Sequence, residues 1–503
     1  MTYYLKDWFL NLKHCNTFEA DNYSINDENT NQNTIKTNLQ KTYNRLILLL
    51  NSTSSLLTIN CFILGFLTKY LVTGDQLSGL QFLVVTFVVL TSCLFYYPSY
   101  NLIDIGYINL RIIRWIYSLT VISTFFFLLR NHTKACSSVG LCGTIGLKIL
   151  REIPFIFPKT FTFNELLIIS SFISCGAFTF FMHMTQIFKP ENDEVVVIEQ
   201  AIIWLILVTI FTSQIGKKSL VLFVSGCMLA LALYFVPMCF VLIKKNPFLW
   251  LIDYLFYQNQ KRILIFGYWL SLFFFMSFVI FLIKLKETKD KKFLKDSNRH
   301  KKLTKIRKIF HLLIILVFVF GFVHDRSLLL LCSYGMLILL ILNELIRYYK
   351  IGILGNMIQE LLVIFLDEKD TNSSLILSHI YLLIGLSFPF WFSSFNEFNL
   401  AELSGLITVG IGDSFASIVG SKFGKHKLPR SNKTVEGSLA MVFSQLFFYI
   451  LLIQIGLIDL THYENYIFIL VNLSLSGYVE AFTKDNDNVV LPIVIYPFLY
   501  LIK

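Results

Sequence analysis

Residues 405–438 read GLITVGIGDSFASIVGSKFGKHKLPRSNKTVEGS, an apolar, glycine-spaced segment with one carboxylate, Asp413, that runs directly into a basic loop. A carboxylate near the centre of a bilayer costs about 2.5–3.5 kcal/mol, so Asp413 is a functional candidate by default. The loop offers Lys422, Lys425, His426, Lys427, Arg430 and Lys433, with Ser431, Thr434 and backbone N–H groups around Gly424 and Gly437. Such a donor-rich cationic surface suits phosphate oxygens. Whether the apolar half crosses a membrane decides the fold of the whole chain.

Composition answers that it does. Of 503 residues 55% are hydrophobic and only 15% charged, fifty are Phe, and the mean hydropathy is +0.65. These values exclude an ordinary soluble domain and indicate an all-α, polytopic integral membrane protein. Runs of about 20 apolar residues, the length that spans a bilayer, recur near 46–72, 77–98, 106–130, 163–188, 195–214, 218–243, 262–285, 309–323, 327–348, 375–395, 403–421, 437–457, 467–482 and 489–502. About 14 transmembrane helices are therefore expected. They are too long for barrel strands, and in lipid only a helix satisfies its own backbone.

The order of these runs suggests a polar tail over 1–45, a multispan region over 46–285, a basic loop over 286–308 and a catalytic membrane region over 309–503. The tail lacks a basic segment followed by an apolar one, so no cleaved signal peptide is expected. The nine cysteines show no metal or redox spacing. Only Cys136 and Cys142 share a polar loop, where a disulfide is a minor alternative to buried packing. In the multispan region Glu165, Glu199, Asp104, Arg111 and Arg114 lie near span ends, within reach of headgroups. Gly226 and Pro237 are candidate kinks.

Residues 284–308 carry twelve Lys or Arg against three acids and are read as cytosolic by the positive-inside rule. The net charge of +11 is read the same way, as orientation; no nucleic-acid partner is expected. Following the spans from that anchor puts the loop after residue 421 on the same side, together with Glu480, Asp487 and Asn488. Residues 353–366 are too short to span comfortably and read as an interfacial or buried helix. Acids beside phosphate-binding cations are what metal-assisted nucleotide chemistry requires, with Mg²⁺ held by one or two carboxylates and the substrate phosphates. GSKFGKH at 420–426 is not a Walker loop, because three residues separate its glycines and His426 follows the lysine.

Several ordered motifs then converge. The run G-I-G-D-S-F-A-S-I-V-G-S-K-F-G, the segment P-R-S-N-K-T-V-E-G-S and E-A-F-T-K-D-N-D-N-V-V-L-P from Glu480, with R-K-I-F-H from Arg307, N-E-L-I-R-Y from Asn343 and L-D-E-K-D followed by L-I-L-S-H-I-Y-L-L-I-G, resemble the polyprenol kinases, the dolichol kinase family most closely. The resemblance covers about residues 305–503 and implies a CTP-dependent enzyme of the endoplasmic reticulum membrane, its active site facing the cytosol, that phosphorylates dolichol for protein glycosylation. It implies that Lys433, Thr434, Glu436 and Gly437 bind nucleotide, with Lys427 and Arg430 as additions. Asp413 and Asp487, with Asn488, would hold Mg²⁺, one acid also orienting or deprotonating the hydroxyl, while Lys433 offsets phosphate charge. Arg307, His311, His379 and Glu480 are further candidates for the polar pocket. A second D-N pair, Asp485–Asn486, precedes Asp487–Asn488 and leaves two registers open.

Rival readings share part of this pattern. Phytol and diacylglycerol kinases, and cytidylyltransferases acting on a lipid phosphate, also combine an acid with a basic loop. A transporter fits the many spans, but the charges gather at one surface instead of along a midplane path.

Overall fold

A computed structural model describes residues 58, 61–95, 133–157, 160–190, 192–215, 219–289, 313–362, 373–392, 398–428, 433–458, 462–483 and 485–502. The elements are helices: α1 Cys61–Thr73, α2 Gln76–Phe95, α3 Thr133–Ile156, α4 Phe163–Met184, α5 Asp193–Ile215, α6 Leu220–Ile243, α7 Pro247–Ile252, α8 Lys261–Lys289, α9 Leu313–His324, α10 Arg326–Tyr348, α11 Gly352–Leu362, α12 Ser378–Trp391, α13 Leu400–Phe423, α14 Val435–Gln454, α15 Tyr463–Phe482 and α16 Asp487–Leu499. Among the described residues the β-pairing is a single bridge, Lys427 with Thr434.

Seven of these helices, α4, α5, α6, α8, α10, α13 and α14, are long and apolar enough to cross a membrane. That is fewer than the 14 expected. Several of the expected spans appear as apolar helices of 10–17 residues, among them α1, α9, α12 and α16. The span expected at 106–130 lies outside the described residues. The short helix expected over 353–366 is present as α11, Gly352–Leu362, largely exposed; residues 363–366 lie outside the described residues.

α3 corrects the sequence reading, which took Cys136 and Cys142 for loop residues. The glycines and serines that look like loop signals are packing residues. A Cβ on Gly146 would meet the Ser170 carbonyl at 2.9 Å, so α3 and α4 approach closely through small residues. Cys142 is a buried free thiol. Six residues apart on one helix, the two cysteines are separated by about 9 Å of rise, beyond the reach of a disulfide.

One hydrophobic core joins the two halves of the sequence. Phe62, Phe66, Leu83, Val85 and Phe178 pack with Ile380, Tyr381, Phe388, Val489 and Ile493. Edge-to-face pairs such as Phe172–Phe388, 4.7 Å between centroids, give that contact geometry as well as area. α6, with only 11% of its apolar window buried, and α8 lie at the periphery with Phe240, Phe273, Phe274 and Phe275 turned outward. In α6 a π-turn over Leu231–Phe235 immediately precedes Pro237, the expected kink. Gly226 serves packing instead, since a side chain there would strike the ring of Phe211.

Two acids read as headgroup-reaching are internal. Glu199 pairs with His183 at 2.7 Å. Glu165 is 6% exposed and completes a capping box with Thr162 at the start of α4. Placing either acid in the bundle requires partners, because an unpaired buried charge costs several kcal/mol.

Candidate active site

The site forms where α13, α14, α15 and α16 converge. α13 is not a regular helix: a π-helical stretch over Leu406–Asp413 separates its first turn from the α-helical Ser414–Phe423. A π-segment adds a residue per turn and re-aims the side chains that follow, which is why such segments collect at functional sites. Here it ends on Asp413. Gln445 and Met441 of α14 crowd Gly412, where a side chain would collide with both.

The Lys433-to-Gly437 segment is legible residue by residue. Thr434 caps α14, its Oγ1 accepting the Gly437 N–H at 3.2 Å. Gly437 lets α14 close on α13, since a Cβ there would meet the Ala416 carbonyl at 3.0 Å. Glu436 holds His426, whose Nδ1 lies 2.6 Å from Oε1 and whose backbone N–H points at the same carboxylate. Backbone bonds Leu428 N–H to Lys433 O, 2.9 Å, and Val435 N–H to His426 O, 2.9 Å, clasp the two strands of the basic loop. These contacts fix the residue at the end of the clasp, Lys433.

Lys433 reaches into a nest of acids. Its Nζ lies 2.6 Å from Glu480 Oε2 and 3.0 Å from Asp487 Oδ2. Carboxylate oxygens of Asp413, Glu480 and Asp487 all lie within 4.8 Å of one another. Burial works to lower the Lys433 pKa, but Asp487, Glu480 and Asp413 outweigh it and raise the ammonium above its ordinary value, so Lys433 is charged. Three carboxylates face one ammonium, which leaves excess negative charge in a half-buried setting. The donors are hard oxygens in the number that suits Mg²⁺, a metal that prefers a few carboxylates and completes its shell with phosphate and water.

Glu480, expected only as a pocket residue, is the third acid of this group. Asn488, expected as a ligand, places its backbone N–H on Asn486 Oδ1 and Asp487 Oδ1, both at 3.1 Å, within the turn that opens α16. Lys422, Lys425, His426 and Lys427 are exposed beside the site. His379 lies in the first turn of α12, half-buried. Arg307, His311 and Arg430 lie outside the described residues.

The tandem D-N pairs divide their work. Asp487 faces Lys433, while Asp485 turns the other way and accepts from Thr162 Oγ1 and Asn164 Nδ2, each at 3.0 Å. The second pair is therefore in register with the site. Sequence reading named Asp485 but overlooked its partners Thr162 and Asn164, more than 320 residues away along the chain. It also gave Glu344 and Arg347 no partner: they clamp the approach to α12, Glu344 Oε1 accepting the Ile376 N–H at 2.7 Å and Arg347 donating to the Ser374 carbonyl at 2.9 Å.

The first turn of α16 is pressed against α12, where a Cβ on Gly385 would run into the Asn488 carbonyl. Gly385→Ala is expected to cost about 1–3 kcal/mol, the usual range for overpacking. A thermal-unfolding scan of the detergent-solubilised protein checks this, and an unchanged midpoint would count against the close packing.

Known proteins share this chain's pattern. The family model described as dolichol kinase matches residues 149–393, reaching well upstream of the basic loop. Human dolichol kinase is 31% identical over 404 residues, which cover 72% of this chain and 73% of the relative. The chain belongs to the dolichol kinase family. Within that family the Arabidopsis thaliana dolichol kinase EVAN is 31% identical over 261 residues, 51% of this chain and 44% of the relative. The Saccharomyces cerevisiae dolichol kinase is 29% identical over 248 residues, 49% of this chain and 44% of the relative. No solved structure matches the chain. In this dolichol kinase family member Asp413, Glu480 and Asp487 form, among the described residues, a three-acid group placed to hold a metal ion, with Lys433 paired to two of its members.

Proposed function

We propose that this chain transfers the γ-phosphoryl group of CTP to the hydroxyl of dolichol, giving dolichyl phosphate and CDP, at the cytosolic face of the endoplasmic reticulum membrane. The observation that carries the reading is the ammonium of Lys433 set among Asp413, Glu480 and Asp487, in a helical membrane chain of the dolichol kinase family. Asp413 and Asp487, with Glu480 beside them, would hold Mg²⁺, which when bound would supply positive charge against the transferring phosphoryl group. Lys433 neutralises phosphate charge, and the exposed Lys427, together with Arg430, draws the nucleotide to the loop. One of Asp413 and Asp487 accepts the hydroxyl proton and so orients the alcohol for in-line attack.

Product analysis tests the reaction class. Purified protein in lipid, given CTP and dolichol, is expected to release CDP in step with dolichyl phosphate. Pyrophosphate with a CDP-lipid would make it a cytidylyltransferase instead, and label passing to phytol or diacylglycerol but not to dolichol would replace the acceptor.

The orientation has its own test. Asn432-Lys433-Thr434 is a glycosylation sequon that stays unmodified if the loop is cytosolic. Mass spectrometry of protein expressed in a glycosylating cell is expected to find Asn432 bare, and a glycan there would invert the topology.

A further inference from the structure

The N-terminal half supplies two contacts to the turn that carries Asp487. Residues 485–487 lead into α16, and a helix start of this kind is held by whatever caps it. Asn486 caps α16 with its own side chain, accepting the Asn488 N–H at 3.1 Å. The Asn486 N–H in turn donates to Glu165 Oε1 at 3.2 Å. The other Glu165 oxygen accepts the Thr162 N–H at 3.0 Å and faces the Tyr381 hydroxyl at 3.5 Å. Asp485, 8% exposed, is held by Thr162 and Asn164. Two acids, one from each half of the chain and both nearly buried, thus tie the start of α4 to Asp485 and Asn486. Asp487 is the next residue along, and its carboxylate is the one that meets Lys433.

Burying these acids is costly unless the contacts are made, and capping α4 alone needs only Thr162 and Glu165. The additional bonds reach across more than 320 residues to one turn. We propose that Glu165 and Asp485 are positioning residues, which hold the Asp487 carboxylate within reach of Asp413, Glu480 and Lys433. This rests on the reading of that cluster as the metal and nucleotide site. It also gives the N-terminal half a part in catalysis, through the geometry of one turn. Outer partners of metal-binding carboxylates commonly affect affinity or rate by about 10–100-fold.

The test compares Glu165→Ala, Asp485→Ala and Glu165→Gln with wild type in purified form. The readouts are kcat and KM for CTP and, without turnover, Mn²⁺ binding in the presence of CTP, followed by electron paramagnetic resonance. Both alanine variants are expected to bind Mn²⁺ about tenfold more weakly and to lose about 10–100-fold in kcat per folded molecule. Glu165→Gln keeps an oxygen for the Asn486 N–H and is expected to recover most of both. Wild-type Mn²⁺ affinity and kcat in both alanine variants would overturn the proposal, whereas failure of wild type itself to transfer phosphate or bind Mn²⁺ would overturn the site reading beneath it. Should the alanine variants fail to fold, Asn164→Ala, which removes a side-chain donor to Asp485, replaces them. Weaker Mn²⁺ binding with a lower kcat in this variant supports the proposal, and wild-type values of both refute it.

Discussion

Asp413→Asn is expected to lower the rate of dolichyl phosphate formation by about 10³-fold while leaving the protein folded in the membrane. The side chain keeps its size, so the substitution opens no cavity and forces no clash. What is lost is one of three charges within 4.8 Å of one another, and with it a hard oxygen donor and a candidate proton acceptor. Removing a single preorganised electrostatic group typically costs about 10²–10³ in kcat. A residue that serves both metal and hydroxyl belongs at the upper end, near 4 kcal/mol of transition-state stabilisation. Initial rates with saturating CTP and dolichol, normalised to folded protein, measure this. A loss smaller than tenfold would remove Asp413 from the chemistry and return it to a helix-packing role.

Lys433→Met is expected to have the second largest effect and a different signature. The methionine fills the space of the aliphatic stem, but Glu480, 6% exposed, and Asp487 lose the ammonium that offsets their charges. Breaking a buried pair from one side costs about 3–5 kcal/mol, and because Lys433 is 28% exposed the lower end applies here. The variant is therefore expected to unfold at lower temperature and to lose at least about 10²-fold in activity. The two effects separate in the double variant Lys433→Met with Glu480→Gln, where removing the stranded charge is expected to restore stability but not transfer. Recovery of both together would mean that Lys433 is a structural counter-ion only.

The contrast between these residues and Glu165 shows which parts of the molecule the sequence makes legible. Asp413 is visible because a carboxylate in an apolar run is expensive, and Lys433 because a basic loop after that run has one evident purpose. Their assignment to CTP and dolichol came from motif resemblance, since no spacing of acids and lysines names a nucleotide or an alcohol. Glu480 drew attention through its side of the membrane and the motif that starts at it, although its place as the third acid required the helices to be assembled. Glu165 gave no such signal. An acid at a span end reads as a headgroup contact, and its bond to Asn486 depends on how α4 lies against the turn before α16. α3 was missed because glycine and serine mark loops in water yet mark close helix contacts in a membrane bundle. The tandem D-N pairs could not be ordered from sequence, because both fit the motif and only the direction of each side chain tells them apart.

The central claim, that Asp413, Glu480 and Asp487 together hold the metal of a bound metal–nucleotide, is tested most directly by letting the metal mark its own surroundings. Purified protein is loaded with CTP and Fe²⁺ in place of Mg²⁺ and exposed briefly to ascorbate and peroxide, and the backbone cuts are mapped by mass spectrometry. The account predicts CTP-dependent cuts grouped around residues 413, 433, 480 and 487, suppressed by excess Mg²⁺ and absent in the Asp413→Asn and Asp487→Asn double variant. CTP-dependent cuts clustered elsewhere in the chain, or cuts at these residues that persist in the double variant, would contradict it.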